Sequence, residues 1–133
     1  ANTAAFRSAS LPAMNGHGTA RALARLYGTL ADTPERLLDP VLLAEATRPQ
    51  CSGPDRVLGR ESCFGLGFLL SREALPVGPV GAAFGHPGAG GTLAFADPAR
   101  RLGFALLVNR MEPGAVAGGT TARALVDVLE TLS

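Results

Sequence analysis

The sequence predicts an α+β fold, in which an antiparallel sheet of about three strands is covered by N-terminal helices and one C-terminal helix. Three observations support this class. Helical periodicity dominates residues 17–49, strand-like alternation occupies 64–70 and 92–109, and helical periodicity returns after residue 120. We therefore expect one unit over residues 1–133, with a loop over 1–16, a helical segment over 17–49, and the sheet with its C-terminal helix over 63–133.

Two helices are expected in the first half of the chain. Gly18-Thr19 opens the first, and Thr33-Pro34 stops it. Its apolar residues recur at i, i+3, i+4 and i+7, namely Leu23, Leu26, Tyr27 and Leu30. The second begins at Asp39-Pro40, where aspartate is the N-cap and proline the first helical residue, and it ends by Arg48-Pro49.

The strands are expected in the second half. Residues 50–62 look irregular, because Ser52-Gly53-Pro54 has the composition of a turn. Apolar residues alternate with glycines over 64–70, which predicts one strand whose glycine side permits close approach of another segment. Residues 92–97 and 101–109 alternate around Asp97-Pro98, which predicts a hairpin that is covered on both faces.

The remaining segments connect these elements. We expect a loop over Pro76 to Gly81 and a flexible link over Pro113 to Gly119. A C-terminal helix then follows, capped by Thr120 or Thr121.

Composition excludes several functions. Hydrophobic residues make up 47% of the chain and charged residues 17%, which argues against a disordered chain. A net charge of +1 argues against a nucleic-acid partner. No apolar run is long enough for a membrane span and no leader is evident, so the compartment is left open. Twelve arginines without any lysine indicate a compositional bias rather than a function.

No cofactor or metal signature is present. Cys51 and Cys63 lack the CxxC spacing of a metal site, and we expect both to be free thiols. Adding His17 and His86 to the two cysteines gives no ligand spacing either.

The candidate site is a glycine cluster over residues 83–93 that contains His86 and opens the hairpin. Backbone N–H groups and an imidazole could converge there on one small ligand group. A phosphate-binding P-loop is disfavoured, because Gly91 stands where that loop needs lysine and a hairpin follows where it needs a helix.

Several phrases of the sequence resemble one enzyme family. The tripeptide His86-Pro87-Gly88 is similar to the third active-site motif of the serine hydrolases related to penicillin-binding proteins and class C β-lactamases. The match is to the esterase-type members, in which His-x-Gly replaces Lys-Thr-Gly. Further phrases of this kind cover nearly the whole chain: Gly16 to Tyr27, Phe64 to Phe68, Leu93 to Pro98 and Val108 to Met111.

The resemblance also indicates what this stretch lacks. The family acylates a serine in Ser-x-x-Lys with help from a tyrosine in Tyr-x-Asn. The chain has no lysine, and its single tyrosine, Tyr27, is followed by Gly28 and Thr29. The resemblance therefore implies the C-terminal portion of a larger enzyme, inactive alone, whose N-terminal portion is the partner that supplies the nucleophile.

The resemblance also implies roles for single residues. The backbone N–H of Ala89 would be one oxyanion donor, and His86 would hydrogen-bond the substrate or the proton relay. Gly88, Gly90 and Gly91 would let the acyl group lie against the strand. The expected substrate is a small ester or amide, and histidine in place of lysine favours esters of neutral acids over β-lactams.

Other interpretations stay open. The same piece of fold could be a non-catalytic module that binds a ligand or partner through the His86 segment or an open strand edge. His86 by itself could be an ordinary loop residue. His17 is expected at a helix entry, and Asn109-Arg110 is expected to close a loop, although it could reach substrate.

Overall fold

The structure is a computed structural model that describes residues 3–32, 37–113, 115 and 118–131. The helices among them are α1 (Ala4–Ser8), α2 (Ala20–Ala31), α3 (Pro40–Ala46) and α4 (Gly119–Thr131). The strands are β1 (Cys51–Asp55), β2 (Arg60–Phe64), β3 (Leu69–Leu70), β4 (Phe84–Pro87), β5 (Leu93–Asp97) and β6 (Leu102–Leu106). They form one antiparallel sheet in the order β1-β2-β3-β4-β5-β6. The predicted α+β class is confirmed, with six strands among the described residues instead of about three.

Helices cover both faces of the sheet. One core lies against α4 and contains Leu69, Leu75, Val77, Ala83, Leu93, Phe95, Ala122 and Val126. The other lies on the opposite face and contains Leu30, Cys63, Leu70, Phe84 and Ala96, with Tyr27 of α2 and Leu43 of α3 packed against it. The expectation that the hairpin is covered on both faces is confirmed at β5, where every residue is buried.

The starts of α2 and α3 are where the capping signals predict them. The Thr19 hydroxyl accepts a hydrogen bond from the Ala22 N–H at 3.1 Å, and the Asp39 carboxylate accepts one from the Val41 N–H at 2.8 Å. Each cap satisfies a backbone donor that the first turn of a helix leaves without a partner. The end of this helix was predicted at Thr33-Pro34, and both residues lie outside the described ranges. Helix α2 ends at Ala31.

The expectation of irregular structure over 50–62 is wrong. Residues 51–55 and 60–64 are β1 and β2, paired from Cys51 with Phe64 to Asp55 with Arg60. Ser52-Gly53-Pro54 is extended rather than a turn. Proline is tolerated there because β1 is an outer strand of the sheet and can lack one N–H without losing a ladder bond.

The single strand expected over 64–70 is two strands, β2 and β3, joined by a turn. Gly67 has a φ of +80°, which glycine adopts without the steric cost of a Cβ. The predicted close approach is confirmed at Gly65, where an added Cβ would lie 2.1 Å from the Ala46 carbonyl oxygen at the end of α3. The glycines therefore serve a turn and a helix contact, not a continuous strand.

The hairpin β5–β6 is confirmed, and its register runs from Leu93 with Leu106 to Asp97 with Leu102. The segment before it differs from expectation. Residues 84–87, expected in a loop, form β4, which pairs with β5 and places His86 opposite Ala94. The turn itself is confined to the residues between Pro87 and Leu93.

Both ends of the chain differ in part. The expected loop over 1–16 contains the short helix α1. Helix α4 begins at Gly119, and Thr120 does not cap it with its own hydroxyl oxygen. Instead the Glu112 carboxylate accepts the Thr120 N–H at 3.2 Å and its hydroxyl at 3.0 Å. Gly114, Val116 and Ala117 of the expected flexible link lie outside the described residues, whereas the Pro76 to Gly81 loop is confirmed.

Two further expectations concern the cysteines and the membrane. Both cysteines are free thiols, Cys51 exposed and Cys63 buried. Their register partners are Phe64 and Ser52, so the two are offset by one residue rather than paired.

None of the helices in the described ranges has the length and apolar character needed to cross a bilayer.

Candidate active site

A cavity of about 450 Å³ lies where the end of β4 faces the β1–β2 hairpin. This volume is in the range typical of small-molecule sites, roughly 300–1,000 Å³. One wall is formed by the end of β4 and the residues after it: His86, Pro87, Gly88 and Ala89. The facing wall is formed by Asp55, Val57 and Leu58 at the tip of the β1–β2 hairpin, and Phe64, Leu69, Leu75 and Ala115 complete the lining. The cavity therefore contains the predicted histidine and two of its predicted neighbours.

His86 is the exposed residue of β4, between the buried Gly85 and the half-buried Pro87. Its Nδ1 lies 2.7 Å from the Pro87 carbonyl oxygen. A carbonyl can only accept, so this contact requires a proton on Nδ1 and leaves Nε2 as the acceptor nitrogen of the neutral ring. The centroid of the imidazole also lies 6.3 Å from the centroid of the Phe64 ring. A held imidazole with one accepting nitrogen is suited to proton transfer.

The turn after β4 has the features of a type II β-turn over residues 88–91. The Gly91 N–H points at the Gly88 carbonyl oxygen at 3.4 Å, and Gly90, the third residue, has a φ of +88°. The Gly88 N–H is used by the Thr92 carbonyl at 2.9 Å. The Ala89 N–H donates no hydrogen bond to any described residue, and Ala89 lines the cavity.

The glycines of the cluster occupy different places. An added Cβ at Gly88 would lie 1.9 Å from the Thr92 hydroxyl oxygen, so the turn leaves no room for a side chain there. Gly90 and Gly91 are buried and do not line the cavity. They border a separate groove with Arg110 and Met111. His86, Gly88 and Ala89 are thus brought together, while Gly90 and Gly91 shape the turn behind them.

The facing wall depends on Asp55. Its Oδ1 accepts the Val57 N–H at 2.8 Å and the Leu58 N–H at 2.9 Å, and its Oδ2 accepts the Ser62 hydroxyl at 3.3 Å. The two backbone N–H groups hold the pKa of the Asp55 carboxyl below its usual range. The side chain therefore stays ionised at neutral pH and fixes the hairpin turn.

None of the residues of this facing wall is among the site residues predicted from the sequence. The signal that could have found it is Asp55-Arg56-Val57-Leu58-Gly59, an aspartate followed four residues later by a glycine. Asp55 caps the turn and Gly59 takes a φ of +66°, which is common hairpin chemistry. Finding the cavity would also have required the pairing of β1 with β2, which brings this turn beside His86.

Other residues considered from the sequence lie elsewhere. His17 is exposed and precedes α2, as expected for a helix entry. Tyr27 packs in the core under α2, and burial raises its pKa. Arg110 borders the groove behind the turn and does not line the cavity. Over the described ranges, no three His, Cys, Asp or Glu side chains are grouped to bind a metal ion.

Comparison with known proteins gives consistent matches. The Beta-lactamase family model matches residues 1–128. Esterase/beta-lactamase LipL of Mycobacterium tuberculosis (strain ATCC 25618 / H37Rv) is 41% identical over 108 residues, which cover 77% of this chain and 24% of LipL.

Two solved structures share the fold. A family VIII carboxylesterase superposes with a TM-score of 0.85 at 32% identity, over 99% of this chain and 36% of that one. A penicillin-binding protein homologue from Caulobacter crescentus superposes with a TM-score of 0.86 at 35% identity, over 98% and 36%. The chain thus spans about a quarter of LipL and about a third of the two solved structures. Because the family model matches residues 1–128, this chain belongs to the Beta-lactamase family.

Proposed function

We propose that this chain supplies the described cavity as part of the active site of a serine esterase that works through an acyl-enzyme. In this proposal the Ala89 N–H is one of two oxyanion donors, and His86 hydrogen-bonds the substrate or the relay that moves the proton of the attacking serine hydroxyl to the leaving alcohol. Gly88 lets the acyl group approach the backbone. The relatives described as an esterase/beta-lactamase and a carboxylesterase support this class of reaction.

The single observation that carries the proposal is the free N–H of Ala89 beside His86 on one cavity. Ala89 is exposed, and its N–H has no hydrogen-bond partner among the described residues, whereas the Gly88 and Gly91 N–H groups are used within the turn. The Gly90 N–H also lacks a described partner, but Gly90 is buried and does not line the cavity. A donor held in place without an acceptor is what an oxyanion site requires.

In this proposal the nucleophile comes from outside these 133 residues. The family's serine is part of Ser-x-x-Lys, and the chain has no lysine. Of its own serines, Ser71 is fully buried and its hydroxyl donates to the Gly78 carbonyl at 2.7 Å. We propose that the full-length gene product joins that serine to the cavity described above.

The choice of substrate follows from the cavity's charges. Among the described residues, those that line the cavity include His86 and the Asp55 carboxylate and no arginine. An active site for carboxylate-bearing β-lactams would be expected to offer a fixed cation to that carboxylate. We therefore propose esters of neutral acids as substrates.

The experiment is the variant Ala89→Pro in the full-length protein, assayed with p-nitrophenyl butyrate. Proline is favoured at the second position of a type II turn and removes the N–H without disturbing the backbone. We expect kcat to fall by about 10²–10³ fold, as when one oxyanion donor is lost. His86→Ala is expected to lower kcat by about 10²–10⁴ fold.

Ala89→Ser is the matched control, since it keeps the N–H and is expected to retain activity. Labelling by a fluorophosphonate, located by mass spectrometry, identifies the nucleophile. If Ala89→Pro hydrolyses the ester at the rate of Ala89→Ser, the oxyanion assignment is wrong. If the unmodified full-length protein neither hydrolyses esters nor takes the label, the esterase proposal is wrong and the site belongs to a binding module.

A further inference from the structure

We infer that the β1–β2 hairpin selects the acyl group of the substrate. Val57 and Leu58 pack against a neutral aliphatic acyl chain, and the Asp55 carboxylate disfavours an acyl chain that carries its own carboxylate. The inference rests on the proposed ester hydrolysis at His86 and Ala89, and it assigns the selectivity to a different segment of the chain.

The first argument is the apolar character of the wall that faces His86. Val57 is 93% exposed and Leu58 is 38% exposed, and both line the cavity. The lining continues with the half-buried Phe64 and the buried Leu69 and Leu75, all of which are apolar. A mostly apolar lining beside a few polar groups is typical of a small-molecule site.

The second argument is that the hairpin tip is held in one position. The backbone N–H groups of Val57 and Leu58, at the tip, both donate hydrogen bonds to Asp55 Oδ1. The Ser62 hydroxyl on β2 holds the other carboxylate oxygen. An apolar wall with a fixed backbone loses little conformational entropy when a ligand packs on it, which favours binding.

The third argument is charge. Within the part of the chain that the structure describes, the ionisable residues that line the cavity are Asp55 and His86, and no arginine lines it. The N–H groups that hold Asp55 also favour its ionised form, so the cavity presents a negative charge at neutral pH. A second carboxylate on the acyl chain would be repelled, whereas an uncharged chain would not.

The first experiment measures kcat/KM of the full-length protein for p-nitrophenyl acetate and p-nitrophenyl hexanoate. Burial of a methylene stabilises by about 0.8 kcal/mol, so each methylene that reaches the wall raises kcat/KM by up to about fourfold. We expect Val57→Ser to lower the ratio of hexanoate to acetate hydrolysis about fivefold. The matched control is Val41→Ser on α3, 78% exposed and away from the cavity, for which the ratio is expected to stay unchanged.

The second experiment compares p-nitrophenyl butyrate with the mono-p-nitrophenyl ester of succinic acid, in which the free carboxylate makes the acyl chain anionic. Asp55→Asn keeps an oxygen acceptor for the Val57 and Leu58 N–H groups and removes the charge. We expect it to raise the relative kcat/KM for the anionic ester by about threefold at low salt, and less at high salt. Glu61→Gln on β2 makes the same net charge change outside the cavity and serves as control.

The outcomes separate the two levels of proposal. Absence of ester hydrolysis by the unmodified protein would overturn the proposed function. If the protein hydrolyses esters but Val57→Ser, like Val41→Ser, leaves the hexanoate-to-acetate ratio of kcat/KM unchanged, the hairpin inference alone is wrong. If Asp55→Asn and Glu61→Gln change the relative kcat/KM for the anionic ester by the same factor, the assignment of the charge effect to Asp55 is wrong.

Discussion

The two walls of the cavity are built in different ways. The wall that carries His86 is a strand in the middle of the sheet, whose neighbour β5 is buried at every position. The facing wall is the tip of an outer hairpin, where Val57 is 93% exposed and one carboxylate holds the turn. Packing on both faces therefore fixes the wall assigned to chemistry, and local hydrogen bonds fix the wall assigned to selectivity. Substitutions at the two walls should separate stability from specificity.

One of the two largest effects is expected for Gly85→Ala, next to His86. A Cβ at this position would lie 2.1 Å from the Ala94 carbonyl oxygen and 2.6 Å from the Phe95 Cα, both in the backbone of β5. The two strands would have to separate, so we expect a loss of about 3 kcal/mol or more in the free energy of unfolding. Urea denaturation followed by circular dichroism measures it.

The control for this substitution is Gly16→Ala, where an added Cβ meets nothing within 4 Å. Its expected effect is within about 0.5 kcal/mol. A Gly85→Ala variant as stable as Gly16→Ala would mean that β4 and β5 can move apart, and the central wall would not be fixed by packing as described.

The next effect compares an apolar side chain on β5, the strand beside the His86 wall, with one on the facing wall. Phe95 on β5 is fully buried, stacked on Phe104 at 5.0 Å between ring centroids, whereas Val57 is exposed at the hairpin tip. We expect Phe95→Ala to cost about 3–5 kcal/mol in unfolding free energy and Val57→Ala less than about 0.5 kcal/mol. Equal costs for the two variants, measured in the same urea series, would contradict the division between the walls.

The same division explains what the sequence could and could not predict. The starts of α2 and α3 were predictable because Thr19 and Asp39 cap them through bonds to residues two or three positions away. The β5–β6 hairpin was predictable because its strands alternate and are adjacent in the chain. Information of this kind is local, and it identified His86 within its glycine cluster.

The elements that could not be predicted from the sequence depend on pairing between strands. Ser52-Gly53-Pro54 has turn composition, but pairing with β2 holds it extended as an outer strand. Residues 84–87 became a strand because β3 and β5 both pair with them. The facing wall of the cavity could not be predicted without those pairings, since Asp55 and His86 are brought together only by the sheet. Tertiary contacts overrode local propensity in each case.

The smallest effect is expected from the pH dependence of Asp55. Because its pKa is lowered in the folded protein, its contribution to stability is complete above the ordinary aspartate pKa of about 3.9 and is lost as the pH falls through the lowered value. Protonation weakens the carboxylate as an acceptor for the Val57 and Leu58 N–H groups. The tip of the hairpin should then loosen while β4 and β5 stay folded.

Nuclear magnetic resonance can follow this step directly. We expect the Asp55 side-chain carboxyl carbon and the Val57 and Leu58 amide protons to titrate together, at a pH below that of an exposed aspartate. Asp55→Asn should remove the transition from both amides, and Glu61→Gln should leave it in place. If the amides do not follow the Asp55 titration, the carboxylate does not hold the turn, and the apolar wall has no fixed backbone from which to select an acyl chain.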